Sequence, residues 1–191
     1  MTTDLGRPRD PRIDDSVLGA TVELLGTSGY ADLSVDAIAK RAGTSKPAIY
    51  RRWPSKAHLV HEAVFPISEA TELPDTGSLA GDVREMVRRS TAVLTTPAAR
   101  AAMPGLLAEM ATDPTLHAKL LERFGDVTGR GITDRLDNAV SRGEVRPDVT
   151  AAELVEAIAG MALMAIITRN HALDDDWVHR TATLITRGIS A

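Results

Sequence analysis

The chain has 191 residues, of which 43% are hydrophobic and only 3% aromatic, so its core must be built from aliphatic side chains, which suit helices better than sheets. Cysteine is absent, which excludes disulfide frameworks and thiolate metal sites and predicts a cytosolic protein. The net charge is −4, but residues 1–60 hold nine Lys and Arg against seven Asp and Glu, so only this first part is suited to a polyanion such as nucleic acid.

The N-terminus is polar and then becomes helical. Residues 1–9 are predicted to be a flexible arm, either one that reaches a nucleic acid or simply an unstructured terminus. Asp10 and Pro11 are a cap and a first-turn proline, and they predict a helix that continues to Gly26 and Gly29. The sequence shows no signal peptide and no uninterrupted apolar stretch long enough to cross a membrane, so we expect a cytoplasmic protein without membrane contact.

Residues 34–53 predict two short helices joined by a glycine turn. Ser34 is expected to cap the first helix, which ends before Gly43, and Ser45 is expected to cap the second. The second helix has one apolar edge and one basic edge. Because so short a turn makes the helices cross steeply, the second helix is predicted to project as the probe of a DNA major groove.

A fourth helix is predicted to follow, beginning near Pro54 and ending near Pro66. It carries His58 and His61, whose spacing allows two metal ligands on one face. No third ligand stands at a matching spacing, so these histidines are predicted to face solvent. The sequence therefore predicts neither a metal site nor a cofactor.

Five longer helices are predicted after a linker at residues 67–77. They cover about residues 78–95, 96–111, 113–143, 150–169 and 175–189. The helix that starts at Thr150 is apolar over so wide an arc that it must be covered on two sides. With no convincing strand or repeat, the chain is predicted to be all-α.

The segments GTSGYADLSV, IAKRAG, SKPAIYRRW and PSKAHLV resemble the N-terminal domain of TetR-family transcriptional regulators over residues 10–65. The resemblance implies a three-helix helix-turn-helix DNA-binding domain followed by a larger C-terminal helical bundle for ligand binding and dimerisation. The expected divisions are an arm at 1–9, a DNA-binding domain at 10–66, a linker at 67–77 and a bundle at 78–191.

The resemblance implies that Tyr50 and Lys56 contact DNA phosphates, with Ser34 at a helix N-terminus. A Lys or Arg on the exposed side of the second helix suits the guanine edge. Thr44 stands where the family usually has an apolar residue. The predicted DNA-binding residues are Ser34, Thr44, Ser45, Lys46, Pro47, Ala48, Tyr50, Arg51, Arg52 and Lys56.

The resemblance also implies a homodimer, formed by the last two helices, on a palindromic double-stranded DNA operator. The doubled apolar stripe and the small residues of the helix from Thr150 support this independently, and the ordinary alternative is a central helix buried within a monomer. The predicted interface residues are Leu154, Ile158, Ala162, Ala165, Trp177, Thr181 and Leu184.

A repressor released from DNA by a small apolar effector needs a cavity, and the resemblance places one among the middle helices. Candidate lining residues are Met86, Met103, Leu107, Met110, His117, Phe124, Thr128, Met161, Met164 and Thr168. For each of them plain core packing is an equal alternative. Two other functional classes are a regulator whose second half binds a protein, and an enzyme, which the absence of catalytic motifs argues against.

Overall fold

The computed structural model describes residues 11–66, 73–168 and 173–191, without the side chains of 121 and 123–130. An isolated β-bridge joins Val145 to Ser190. The described ranges otherwise form helices, so the all-α prediction is confirmed. The helices are α1 (Pro11–Asp32), α2 (Val35–Arg41), α3 (Lys46–Tyr50), α4 (Lys56–Val64), α5 (Leu79–Leu94), α6 (Pro97–Thr112), α7 (Pro114–Ser141), α8 (Ala151–Thr168) and α9 (Asp175–Ile189).

Local capping sets the ends of the short helices. The Ser34 hydroxyl accepts a hydrogen bond from the Ala37 N–H, and the Ser45 hydroxyl accepts one from the Ala48 N–H, so both predicted caps are confirmed. Gly43 ends α2 with a φ of 65°, in the left-handed region that glycine favours. α1 extends beyond its predicted end to Asp32, with a non-helical break at Gly29.

The first core contains residues of the four helices α1, α2, α3 and α4, together with residues of α6 and of the start of α7. Leu25, Ile38 and Leu59 are completely buried in it, together with Ala102 of α6. α6 therefore packs directly on α1 and α4, although a long stretch of chain separates it from them.

The second core is formed by α5, the end of α7, α8 and α9. It contains Val83, Leu136, Ile158 and Trp177. α8 begins with a capping box, because Thr150 and Glu153 exchange hydrogen bonds between side chain and backbone N–H.

The predicted domain divisions remain predictions. The arm at residues 1–9 lies outside the described residues, and so do residues 67–72 of the linker. α6 belongs by its place in the sequence to the predicted bundle at 78–191, but it packs on the first core.

α8 does not overturn the expectation that no uninterrupted apolar stretch is long enough to cross a membrane, because Glu153 and Glu156 interrupt it. By length and composition alone it could span one, with a mean hydropathy of 1.8 over Ala151–Thr168. Only 22% of this helix is buried inside the chain, although one side contributes to the second core. Core helices pass the same test of length and hydropathy, so the notable feature is the apolar surface that α8 leaves uncovered.

The prediction that His58 and His61 face solvent is wrong. His61 is buried, and its ring centroid lies 5.2 Å from that of Phe65. His58 is half-buried, and its Nδ1 lies 2.9 Å from the Ser55 hydroxyl. Burial lowers the pKa of His58, and the positive charge of Lys119 lowers it further. Among the described residues no group of three potential metal ligands is present.

Candidate DNA-binding surface and helical body

α3 is held against the first core by its apolar edge. Ile49 and Trp53 are buried, and the Trp53 indole N–H donates to a Glu62 carboxylate oxygen of α4 at 3.1 Å. This hydrogen bond fixes the rotation of the segment around its own axis. The opposite edge of α3 consequently faces outward.

The outward edge brings together most of the predicted DNA-binding residues. Ser45, Lys46, Pro47, Tyr50 and Arg51 are all exposed. Arg51 has no ion-pair partner within the described part of the chain. Ser34 is also exposed, at the start of α2, whereas Thr44 and Ala48 are half-buried.

Lys46 is exposed but not unpaired. Its Nζ lies 2.7 Å from a carboxylate oxygen of Asp36 in α2, and this hydrogen bond raises the pKa of Lys46. Asp36 was not among the predicted site residues, because a carboxylate in the first turn of α2 is already accounted for by the helix dipole. The pair places a negative charge beside the cation proposed to meet a base.

The prediction that Arg52 belongs to the exposed basic edge of the second helix is wrong. Its side chain is only 12% exposed, and it forms an ion pair with Asp14 of α1, whose side chain is 14% exposed. α3 ends at Tyr50, so Arg52 lies beyond the helix and turns back towards α1. Arg52 is therefore a structural residue within the helical unit and not part of the exposed edge.

Lys56 lies at the head of α4, where it contacts the end of α1. Its Nζ donates to the Tyr30 carbonyl at 3.0 Å and lies 4.3 Å from the centre of the Tyr30 ring. These contacts hold the half-buried ammonium group at the N-terminus of α4. Such a position suits a phosphate, because the first N–H groups of a helix also favour an anion.

The candidate ligand residues are not brought together in one place. Met86 is buried in the second core and Met161 packs against it, whereas Met110 packs against the first core. Met103 is half-buried in α6, and Leu107, His117, Met164 and Thr168 are exposed. Phe124 and Thr128 lie outside the described side chains.

Most of the predicted dimer residues are core residues. Of the three predicted interface residues of α9, Trp177 and Thr181 are buried and only Leu184 is exposed, at 62%. The following residues are also buried within the chain: Leu154, Ile158, Ala162 and Ala165. The predicted stripe of α8 was the wrong one, because it is the side that the chain uses for its own second core.

The exposed face of α8 carries a different set of residues. Met164 is 60% exposed and Ile167 is 67% exposed. Ala157 and Gly160 are exposed at the preceding positions of the same face, since the four residues follow at helical spacing. Ile167 was not among the predicted interface residues, although its spacing of three residues from Met164 predicts that both lie on one helix face.

Two family models match the chain. "Bacterial regulatory proteins, tetR family" matches residues 17–63, and "Tetracyclin repressor-like, C-terminal domain" matches residues 73–185. The first match covers the region of the exposed edge of α3, and the second covers most of the remaining helices.

Curated relatives and solved structures agree with these matches. The transcriptional regulator Rv1556 of Mycobacterium tuberculosis is 33% identical, over 93% of this chain and 90% of its own. The DNA-binding transcriptional repressor TetR of Mycobacteroides abscessus is 31% identical, over 86% of this chain and 87% of its own. The crystal structure of the TetR-family regulator SCO0332 is 28% identical and matches with a TM-score of 0.64, covering 93% of this chain and 98% of the other.

Proposed function

The chain belongs to the TetR family of transcriptional regulators, and we propose that it acts as a homodimer that represses transcription from a palindromic operator until a small effector releases it. As a DNA-binding transcriptional regulator of this family it is not an enzyme. The proposal includes a cytoplasmic location for the protein, because the operator DNA lies in the cytoplasm. It also includes that α8 lies outside any membrane.

The exposed edge of α3 is the proposed contact with DNA. Arg51 has its guanidinium free of ion pairs in the described structure, which suits a bidentate contact with guanine. Tyr50, Lys56 and the N-terminus of α2 at Ser34 are proposed to hold phosphates. The observation that carries the proposal is the outward projection of this edge from a helical unit fixed by Trp53 and Glu62.

The exposed face of α8, with Leu184 of α9, is the proposed dimer contact. Met164, Ile167 and Leu184 are each at least 60% exposed, and Met164 and Ile167 lie on one face of α8, where neighbouring exposed apolar side chains favour an interaction surface. Ala157 and Gly160 allow the backbones of two helices to approach closely. A second copy supplies the same face, so it matches these residues in size and polarity.

A dimer explains how α3 achieves useful affinity. One such helix reads only a few base pairs, whereas two copies at a fixed separation read two half-sites about one helical turn apart. An effector that binds better to a conformation with the wrong separation releases the DNA, by an amount limited to its difference in affinity between the two states. The second candidate function is a DNA-binding regulator whose C-terminal helical bundle binds a protein partner instead of a small molecule.

Operator selection from a random duplex library, followed by fluorescence anisotropy on the selected and scrambled duplexes, tests the DNA contact. We expect Arg51→Ala to weaken selected-site binding by about 1–3 kcal/mol and to relax the preference for that site. Tyr50→Phe should weaken binding to both duplexes, because a phosphate contact carries no sequence information.

Arg146→Ala is the matched control, since it removes an exposed arginine that pairs with Asp148 in the loop before α8. Its affinity for both duplexes should equal that of the wild-type protein. Wild-type affinity in both the Arg51 and the Tyr50 variants would overturn the proposed DNA contact.

A further inference from the structure

We propose that a groove between α5 and α9 binds a small organic carboxylate, with its charged group on two arginines and its hydrocarbon part on the groove floor. The groove has a volume of about 380 Å³ and lies between the first turns of α5 and the middle and end of α9. None of the candidate ligand residues from the sequence analysis lines it. The inference does not depend on the proposed release of DNA, because it concerns binding to the protein alone.

The apolar part of the groove lining, called the floor below, consists of small residues. Ala80 and Gly81 contribute from α5, and the buried Ala182 contributes from α9. A volume of about 380 Å³ is near the lower end of the range for small-molecule sites. The floor therefore suits a short hydrocarbon chain better than a large ring system.

In the part of the chain that the structure describes, no carboxylate pairs with the positive charge at the rim of the groove. Arg84 and Arg187 line it and have no ion-pair partner within the described residues, and none of the groove residues is acidic. By contrast, Arg88 and Arg89, farther along α5, both pair with Glu85. Two unneutralised guanidinium groups at one groove favour an anion, with which arginine forms bidentate hydrogen bonds.

A buried hydroxyl group in the groove also needs a partner. Thr186 Oγ1 is buried and has no hydrogen-bond partner in the described structure. The neighbouring Thr183, in contrast, donates to the carbonyl of His179 at 2.8 Å. A buried hydroxyl without a partner costs free energy, and rotation of the Thr186 side chain about its Cα–Cβ bond would bring the hydroxyl to the groove, where a carboxylate oxygen would accept its hydrogen bond.

These features together select an amphipathic carboxylate. A neutral molecule of the same shape leaves both guanidinium groups and the Thr186 hydroxyl without a partner, and an amine adds repulsion. Acetate offers the charged group but covers none of the floor. The exposed Leu184, which we assign to the dimer contact, does not line the groove.

Isothermal titration calorimetry of the full-length protein without DNA tests the inference with octanoate as the probe. Octanoate should bind once per chain, and octanol and acetate at equal concentration should each bind at least about tenfold more weakly. Arg84→Gln and Arg187→Gln should each weaken octanoate binding by about tenfold, and Thr186→Val by a few-fold.

Arg180→Gln is the matched control, because Arg180 is also exposed on α9 but lies outside the groove, near Asp176. It should bind octanoate as the wild-type protein does. Octanoate that fails to bind the wild-type protein, or that binds equally well to both groove-arginine variants, would overturn the inference.

Methyl NMR of the wild-type protein gives an answer even if a variant does not fold. Octanoate should shift the methyl resonances of Ala80, Ala182 and Thr186. Shifts confined to methyl groups elsewhere in the chain would place the ligand outside the groove and refute the assignment.

Discussion

The ring of Tyr30 lies directly against Gly105, so closely that a methyl group at position 105 would overlap the ring atoms. Tyr30 lies near the end of α1 and Gly105 in the middle of α6. The same tyrosine accepts the hydrogen bond of Lys56 through its carbonyl and lies under the ammonium group through its ring. One residue therefore joins α6 to the proposed phosphate contact of α4.

Gly105→Ala should destabilise the protein, because Tyr30 must leave its place in the first core. We expect a loss of about 1–3 kcal/mol in the free energy of unfolding, measured by urea titration. Gly19→Ala is the control, since an added methyl at this exposed position of α1 meets no atom within 4 Å. That variant should gain about 0.5–1 kcal/mol from helix propensity, and equal behaviour of the two variants would argue against the Tyr30 contact.

Asp14→Asn should be far more costly than Glu23→Gln. Asp14 pairs with Arg52 where both side chains are less than 15% exposed, whereas the Glu23 and Arg41 side chains are more than half exposed. Removing one partner of a shielded pair leaves a buried charge and costs about 3 kcal/mol, against at most about 1 kcal/mol for an exposed pair. Urea unfolding at neutral pH measures both, and similar losses would show that the Arg52 pair is not shielded.

Asp36→Asn should strengthen binding to DNA of any sequence. It removes a negative charge from beside the proposed DNA surface and frees Lys46 from its 2.7 Å ion pair. We expect a gain of a few-fold in anisotropy titrations with a random duplex, decreasing as salt rises. Asp148→Asn, in the loop before α8, serves as the control. A gain of equal size in that variant would mean that only the overall charge matters.

Acid should weaken the ion pairs that Glu85 forms with Arg88 and Arg89 within α5. The hydrogen bond from Arg88 lowers the pKa of Glu85 to about 2 despite partial burial, and Arg89 adds a second hydrogen bond. A carboxyl group with a lowered pKa stabilises the fold above its ordinary pKa of 4.5, and this contribution is lost as the pH falls from there towards 2. Thermal unfolding of wild type and Glu85→Gln should therefore differ at pH 7, differ less at pH 3 and converge only as the pH approaches 2, and a constant difference would contradict this.

The sequence correctly predicted the features that depend on residues close to one another in the chain, such as helix caps and turns. Ser34, Ser45 and Gly43 act within a few residues of their own positions, so the helix-turn-helix could be located from them. Arg52 was misplaced, because its partner Asp14 lies far away in the chain and the end of α3 at Tyr50 frees it from the helix face.

α8 shows where periodicity fails. It is apolar on both the Leu154 side and the Met164 side, so spacing alone could not tell which stripe faces the chain's own core. The groove of α5 and α9 was missed for a related reason, because Arg84 and Arg187 come from distant segments and only the packing of the two helices brings them to one place.

Sedimentation velocity of the full-length protein, with and without the selected operator, tests the central claim most directly. The account predicts a dimer in the wild-type protein and in Ala108→Glu, which adds the same charge at an exposed position of α6. Ile167→Glu should sediment as a folded monomer with operator affinity reduced at least about a hundredfold, because its two recognition helices are no longer held at one separation. A wild-type monomer, or an Ile167→Glu monomer that binds the operator as tightly as the wild-type protein, would contradict the account.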